Sequence, residues 1–154
     1  MGARPGTRRQ LWYSDLARRI VFECPLRRIN STVRARGPVN LGHYEINVTI
    51  ELIEGTQRRV RIVFDDDRPT VPRVVVIGEE RQQGWPHRYG DGSLCMWFPK
   101  DPPEQRWLLE DGLLALIGYV EAHLFREIWW LEHDEWLGPE AGHGPPTWDR
   151  RRAA

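Results

Sequence analysis

Two cysteines, Cys24 and Cys95, carry the strongest nucleophilic chemistry in this chain, and they sit in different company. Cys24 lies between Glu23 and Pro25 in an apolar neighbourhood, where a free cysteine behaves as a small buried hydrophobe. Cys95 closes the run Gly84-Trp-Pro-His-Arg-Tyr-Gly-Asp-Gly-Ser-Leu-Cys. Gly90 and Gly92 can fold a tight turn there and let other backbone approach the thiol. His87, eight residues earlier across that turn, is the nearest group to hydrogen-bond the site or lower the thiol pKa. The chemistry this suggests is that of a functional thiol nucleophile; spacing alone leaves a packing thiol open as the alternative.

Other constellations are thinner. His87 and Cys95 with one of His123, His133 or His143 could supply zinc ligands, but no CxxC or HxxxH spacing accompanies them, so no metal or other cofactor is expected. The local motif of papain-like hydrolases is absent around Cys95. Asp65-Asp66-Asp67 reads as an acidic hairpin turn before it reads as a metal site. Gly90-Asp91-Gly92 lacks the Lys-Ser/Thr that follows a phosphate loop. His123 falls on a long helical segment, capping its packing or facing solvent.

The elements that must position Cys95 follow from periodicity. Residues 1–6 read as a mobile arm. From Thr7 to Glu23 the pattern is helical, with Leu11, Trp12, Leu16, Ile20 and Val21 on one face, Arg9, Arg18 and Arg19 on the other, and Pro25 as the stop. Leu26 to Arg34 is a weak strand. Tyr44 to Leu52 alternates strictly, with Tyr44, Ile46, Val48, Ile50 and Leu52 on one face, and Glu54-Gly55-Thr56 turns it back into Val60, Ile62 and Phe64. Val71 to Ile77 is a short apolar run compatible with a strand buried on both faces. These neighbours form an antiparallel meander most simply. Periodicity then disappears from Gly78 to about Arg106, a length at which loops are usually functional, and Trp85, Tyr89, Trp97, Phe98 and Trp107 are placed to pack it down. Glu110 to about Asp134 is a long helix with a stripe of Leu113, Leu116, Ile117, Val120, Leu124, Ile128 and Leu131.

Composition bounds the whole. The chain has 154 residues, 22 Lys plus Arg against 22 Asp plus Glu, 40% hydrophobic residues and eight tryptophans, which fits one globular domain over 1–154 with a tail at 144–154. No run approaches the ~20 apolar residues of a membrane span, and no hydrophobic signal region opens the chain, so a cytoplasmic address is expected. Two cysteines cannot build a disulfide framework, which suits a reducing compartment. Zero net charge argues against nucleic-acid binding by bulk electrostatics. The charge is nonetheless segregated: residues 1–36 hold nine Arg against Asp15 and Glu23, and residues 104–140 hold nine acids against Arg106 and Arg126. All Lys and Arg positions except Lys100 are Arg, a bias that a GC-rich genome favouring Arg codons would produce.

The order of pieces, an amphipathic helix, a meander, a proline-flanked loop with His then Cys, and a C-terminal helix, resembles the ubiquitin-conjugating enzyme fold, an α+β architecture. Pro86 to Cys95 looks like the active-site stretch of the bacterial branch of that family. Arg106-Trp107, Ile128-Trp-Trp-Leu131 and Glu135-Trp-Leu-Gly138 leading to His143 add to the match. They are similar to ubiquitin-conjugating-like proteins encoded in bacterial antiphage operons beside cyclic-oligonucleotide synthases. The resemblance covers residues 10–145, with its specificity in 85–98 and 106–143.

By that resemblance Cys95 is the nucleophile that carries the C-terminal glycine of a partner protein as a thioester and passes it to an amine. The partner is a ubiquitin-like protein or a tail-bearing synthase. His87 matches the histidine opening the family's motif, a mainly structural residue in eukaryotic members. An activating enzyme would dock on the basic first helix. Eukaryotic members follow His-Pro with an oxyanion-stabilising asparagine; here Arg88 and Tyr89 follow His87, and no asparagine lies before Cys95. Tyr89, loop backbone N–H groups or His143 are the candidate replacements. The rival readings are a non-catalytic module of the same fold that binds a ubiquitin-like partner, and a cysteine hydrolase that removes such modifiers.

Overall fold

The computed structural model describes residues 11–37, 42–79 and 84–138. The expected arm at 1–6, the start of the expected first helix, His143 and the tail lie outside these residues. Within them the order is a 3-10 turn at Trp12–Ser14, helix α1 (Leu16–Arg27), strands β1 (Arg34–Arg36), β2 (His43–Glu51), β3 (Gln57–Asp65) and β4 (Arg73–Val76), and helix α2 (Gly112–His133). The four strands form one antiparallel sheet in sequential order. This is an α+β meander flanked by helices, as the alternation implied.

The sheet follows its sequence closely because one face is buried. Tyr44, Ile46, Val48 and Ile50 of β2 and Val60, Ile62 and Phe64 of β3 point into the core, and the registers Tyr44↔Phe64, Ile46↔Ile62 and Val48↔Val60 set them side by side. The turn between them is a 3-10 turn at Ile53–Gly55, with Glu54 and Gly55 both at positive φ. Strand β4 departs from expectation. It is an edge strand of four residues, and only Val74 is buried, so the apolar run is not covered on both faces. Residues 26–33 also depart: a turn follows α1, and β1 starts only at Arg34.

The first helix required the larger correction. It starts at Leu16, where Asp15 leaves helical geometry and accepts hydrogen bonds from the Ala17 and Arg18 amides. That break resets the helical phase, so the stripe read continuously from Leu11 does not exist. Trp12, Tyr13, Phe22, Glu23 and Leu26 are buried, whereas Leu16, Ile20 and Val21 are 56–75% exposed. Pro25 does not stop the helix; it sits in the last turn, which runs to Arg27. Its missing N–H orphans only the carbonyl of the exposed Val21, which water can satisfy.

The core is an aromatic cluster between the helices and the sheet. Trp12 meets Phe22, Tyr44 and Phe64, and Phe64 in turn meets Trp107. Polar tips find partners: the Tyr13 hydroxyl donates to Asp66 at 2.6 Å, the Tyr44 hydroxyl to Glu23, and the Trp107 indole to Gly112 O at 2.9 Å. Asp66 therefore has a structural role in the acidic turn. Helix α2 packs Leu113, Leu116, Ile117, Val120 and Leu124 into this core. Its stripe ends earlier than periodicity suggested, since Leu131 is 42% exposed, and His123 is not at the surface but fully buried.

Candidate active site

The irregular segment is organised by a short hairpin around the thiol. Arg88 pairs with Leu94 in an antiparallel bridge. The Tyr89 amide donates to Ser93 O at 2.9 Å, the Cys95 amide to His87 O at 2.8 Å, and the Gly92 amide to Tyr89 O at 2.8 Å, closing the turn. Gly92 takes φ +86°, a conformation that favours glycine. Asp91 locks the turn by accepting from both the Ser93 amide and its hydroxyl. The hairpin is fixed to the edge of the sheet, because the Leu94 amide donates to Val74 O at 2.8 Å.

Strand alternation then sorts the side chains. Leu94 and Arg88 leave on one face. Leu94 enters the core, and Arg88 reaches α2, where its guanidinium grips the buried Glu127 with two nitrogens, the second at 2.8 Å. Arg88 also donates to Gly92 O at 2.9 Å, pairs with Glu79 at 3.1 Å, and lies over the Trp85 ring. His123 completes the cluster from one helical turn away, 3.1 Å from Glu127. Burial pulls the Glu127 carboxyl up, but the bonds from Arg88 and His123 overcome it and hold the group below the usual carboxylate range. At Glu79 burial wins over the attraction of Arg88, and its carboxyl is raised.

His87, Tyr89 and Cys95 occupy the opposite alternation. His87 adopts φ +55°, unusual outside glycine, and its ring stacks on Trp136 at 4.2 Å, which in turn meets His123 edge-on. Cys95 is 6% exposed, more buried than the half-buried Cys24, the reverse of the expected contrast. Its Sγ–H points to Trp97 O at 3.8 Å. Burial pushes the thiol pKa up, the Tyr89 hydroxyl donates to the sulfur and pulls it down, and the Asp101 carboxylate pushes it up again. Asp101 is held beside the thiol by the Phe98 amide at 2.7 Å. Replacing it with asparagine keeps that acceptor and removes the like charge. Asp101→Asn is therefore expected to speed iodoacetamide labelling of Cys95 at pH 7 by about two- to fivefold, read by mass spectrometry against wild type.

Beside the thiol lies an open groove of about 910 Å³. It is lined by His87, Cys95 and Trp97 from the irregular segment, by Tyr119 and His123 of α2, and by Trp136 beyond that helix. Ala115, Gly118 and Ala122 keep the α2 wall low, and nothing lies within 4 Å of where a Gly118 side chain would start. The structure sets His87 opposite Cys95 through its backbone carbonyl, with its ring on Trp136; sequence spacing singled out neither Asp101 nor the Arg88–Glu127–His123 cluster. The spacing of His123 and Glu127, one helical turn apart, was the available signal. Of the proposed zinc ligands, His133 is exposed and stacks on Trp129, and no group of three or more His, Cys, Asp or Glu is placed to hold a metal among the described residues. No described helix is long and apolar enough to cross a membrane.

Comparison with known proteins gives one match. No curated protein and no solved structure matches the chain. The profile of the E2-CBASS family, described as the type II CBASS E2 protein, matches residues 23–144. That span includes β1 to α2 and the whole hairpin, so the chain belongs to the bacterial E2-like proteins of antiphage CBASS operons.

Proposed function

We propose that this chain is a single-domain conjugating protein with the ubiquitin-conjugating fold, in which Cys95 carries a partner's C-terminal glycine as a thioester and passes it to an amine. The observation that carries this reading is a thiol on a rigid hairpin, at the side of an open groove, in a chain of the E2-CBASS family. A thioester stays reactive toward amines, and a groove rather than a closed pocket suits a tail that must enter, react and leave. His87 serves by positioning: its carbonyl holds the Cys95 amide and its ring buttresses Trp136. Nothing in this chemistry needs a metal or cofactor, and free thiols suit the cytoplasm.

The partner is a protein with a flexible C-terminal tail, a ubiquitin-like protein or the cyclic-oligonucleotide synthase of the same operon. Leu16, Ile20 and Val21 leave an apolar ridge on α1 beside Arg18. That ridge supports docking of an activating enzyme whose surface is apolar with an acidic rim.

Incubation with the synthase and an activating enzyme is expected to give an adduct on non-reducing gels that thiol reductant removes. Cys95→Ala must abolish it, and Cys95→Ser must replace it with a reductant-resistant oxyester. The same adduct on Cys95→Ala overturns the reading. One observation favours the non-catalytic binding module, the buried thiol with its raised pKa. That reading predicts partner binding of equal strength by wild type and Cys95→Ala with no adduct from either.

A further inference from the structure

Attack on an acylated Cys95 would put negative charge on the carbonyl oxygen, and that charge needs a hydrogen-bond donor. The hairpin narrows the choice. The Cys95 amide is committed to His87 O, the Leu94 amide to Val74 O, and the Gly92 amide to Tyr89 O. The Ser93 amide and hydroxyl are both taken by Asp91. Tyr89 is different. In the register set by the Arg88–Leu94 bridge it stands on the same face as Cys95, diagonally across the hairpin, within reach for an aromatic side chain. Its hydroxyl is hydrogen-bonded to the Cys95 sulfur.

We propose that the Tyr89 hydroxyl is the catalytic hydrogen-bond donor of the Cys95 centre, bonding the sulfur in the free protein and the carbonyl oxygen of the tetrahedral intermediate once the sulfur is acylated. The inference rests on the conjugating reading and names the donor for the oxyanion that this reading requires. Acylation turns the sulfur into a poor acceptor and sets a carbonyl oxygen two bonds away, where the same O–H can turn to it. The acceptor amine attacks the thioester carbon, and the carbonyl π pair moves to oxygen under the Tyr89 O–H. When that pair returns, the C–S bond breaks with its electrons on sulfur. The proton released by the new amide nitrogen passes to the Cys95 thiolate and restores the thiol. Tyr89 donates a hydrogen bond throughout and loses no proton. Burial and the bond to Cys95 push its phenol above the ordinary range, so it stays protonated as a donor must.

Tyr89→Phe removes only the hydroxyl from a residue that is 45% exposed, so the fold is expected to persist with an unchanged thermal midpoint. Two readouts test the proposal. Iodoacetamide labelling of Cys95 across pH needs no acyl donor; the variant is expected to label about tenfold more slowly at pH 7, with its inflection moved up. For transfer, a synthetic glycine-ended peptide thioester is exchanged onto Cys95, and its discharge to free lysine is followed in a single turnover. The variant is expected to load to the same extent and discharge about 10²–10³-fold more slowly. Unchanged discharge overturns the proposal, whatever the labelling shows. A wild-type protein that takes no acyl group overturns the conjugating reading and the oxyanion role together, and the labelling arm then still reads whether Tyr89 acts on the sulfur.

Discussion

Arg88→Ala is expected to destabilise the folded chain by about 3–5 kcal/mol, the cost of breaking a buried ion pair by removing one partner. Glu127 is 3% exposed, and its carboxylate is held by Arg88 and His123. Without the guanidinium a charge stays buried with one polar neighbour instead of two, and Glu79 loses its counter-ion as well. The effect reads as a lower urea midpoint with little change in slope. Its pH dependence follows from the sign of the shift. Glu127 has a folded pKa below its unfolded value, so it contributes stability that is present above the unfolded pKa and is lost as pH falls through the folded one. In Arg88→Ala burial is left with less opposition, and the same group protonates at higher pH. The difference between wild type and variant is therefore expected to narrow as pH falls toward about 4. The double variant Arg88→Met with Glu127→Gln removes both charges and keeps an acceptor for His123. It is expected to recover most of the loss. A gap that persists unchanged at acid pH would mean that Arg88 acts by packing rather than by charge.

That pair also marks where the sequence stops being legible. Arg88 and Glu127 are 39 residues apart, and each looks ordinary alone: one arginine among 21, one of three glutamates in α2. Local pattern has no means to join them, because the pairing is made by the fold. The sheet was readable for the opposite reason. One buried face imposes a period of two, and a one-residue slip in β2 would expose Tyr44, Ile46, Val48 and Ile50 together. The hairpin was readable in part, since Gly92 is needed for the turn and the turn brings His87 and Cys95 opposite each other. Its surroundings were not. Helix α1 misled because Asp15 interrupts a pattern that composition makes continuous, and Trp136 enters the site only through the left-handed turn at Asp134 that ends α2. The acidic surplus of the C-terminal region is real in sequence, yet Glu127 is buried and belongs to the site's scaffold rather than to a partner-facing surface.

Substitution at Gly118 is expected to separate the stability of the chain from the proposed transfer. It lies within α2 at an exposed turn, with ordinary helical φ and no atom within 4 Å of the place a Cβ would occupy. A side chain there meets no clash and removes the conformational cost of glycine in a helix. Gly118→Ala is expected to stabilise the chain by roughly 1 kcal/mol. Gly118→Leu should stabilise it comparably, since leucine is also a strong helix former. The two differ in what they do to the groove. Ala115, Gly118 and Ala122 lie three and four residues apart, so they form one low helical face lining the groove that Cys95 also lines. A methyl group leaves that channel open, whereas an isobutyl group stands in it. If the carried tail lies along this wall, Gly118→Leu displaces the reacting carbon from Cys95. Transfer should then fall on the order of 100-fold, the scale that an ångström of misplacement costs. Iodoacetamide, small enough to bypass the obstruction, should label both variants at the wild-type rate. A Gly118→Leu protein that is more stable and discharges its thioester at full speed would place the tail on the opposite side of the thiol, toward Tyr89 and the turn at Gly92.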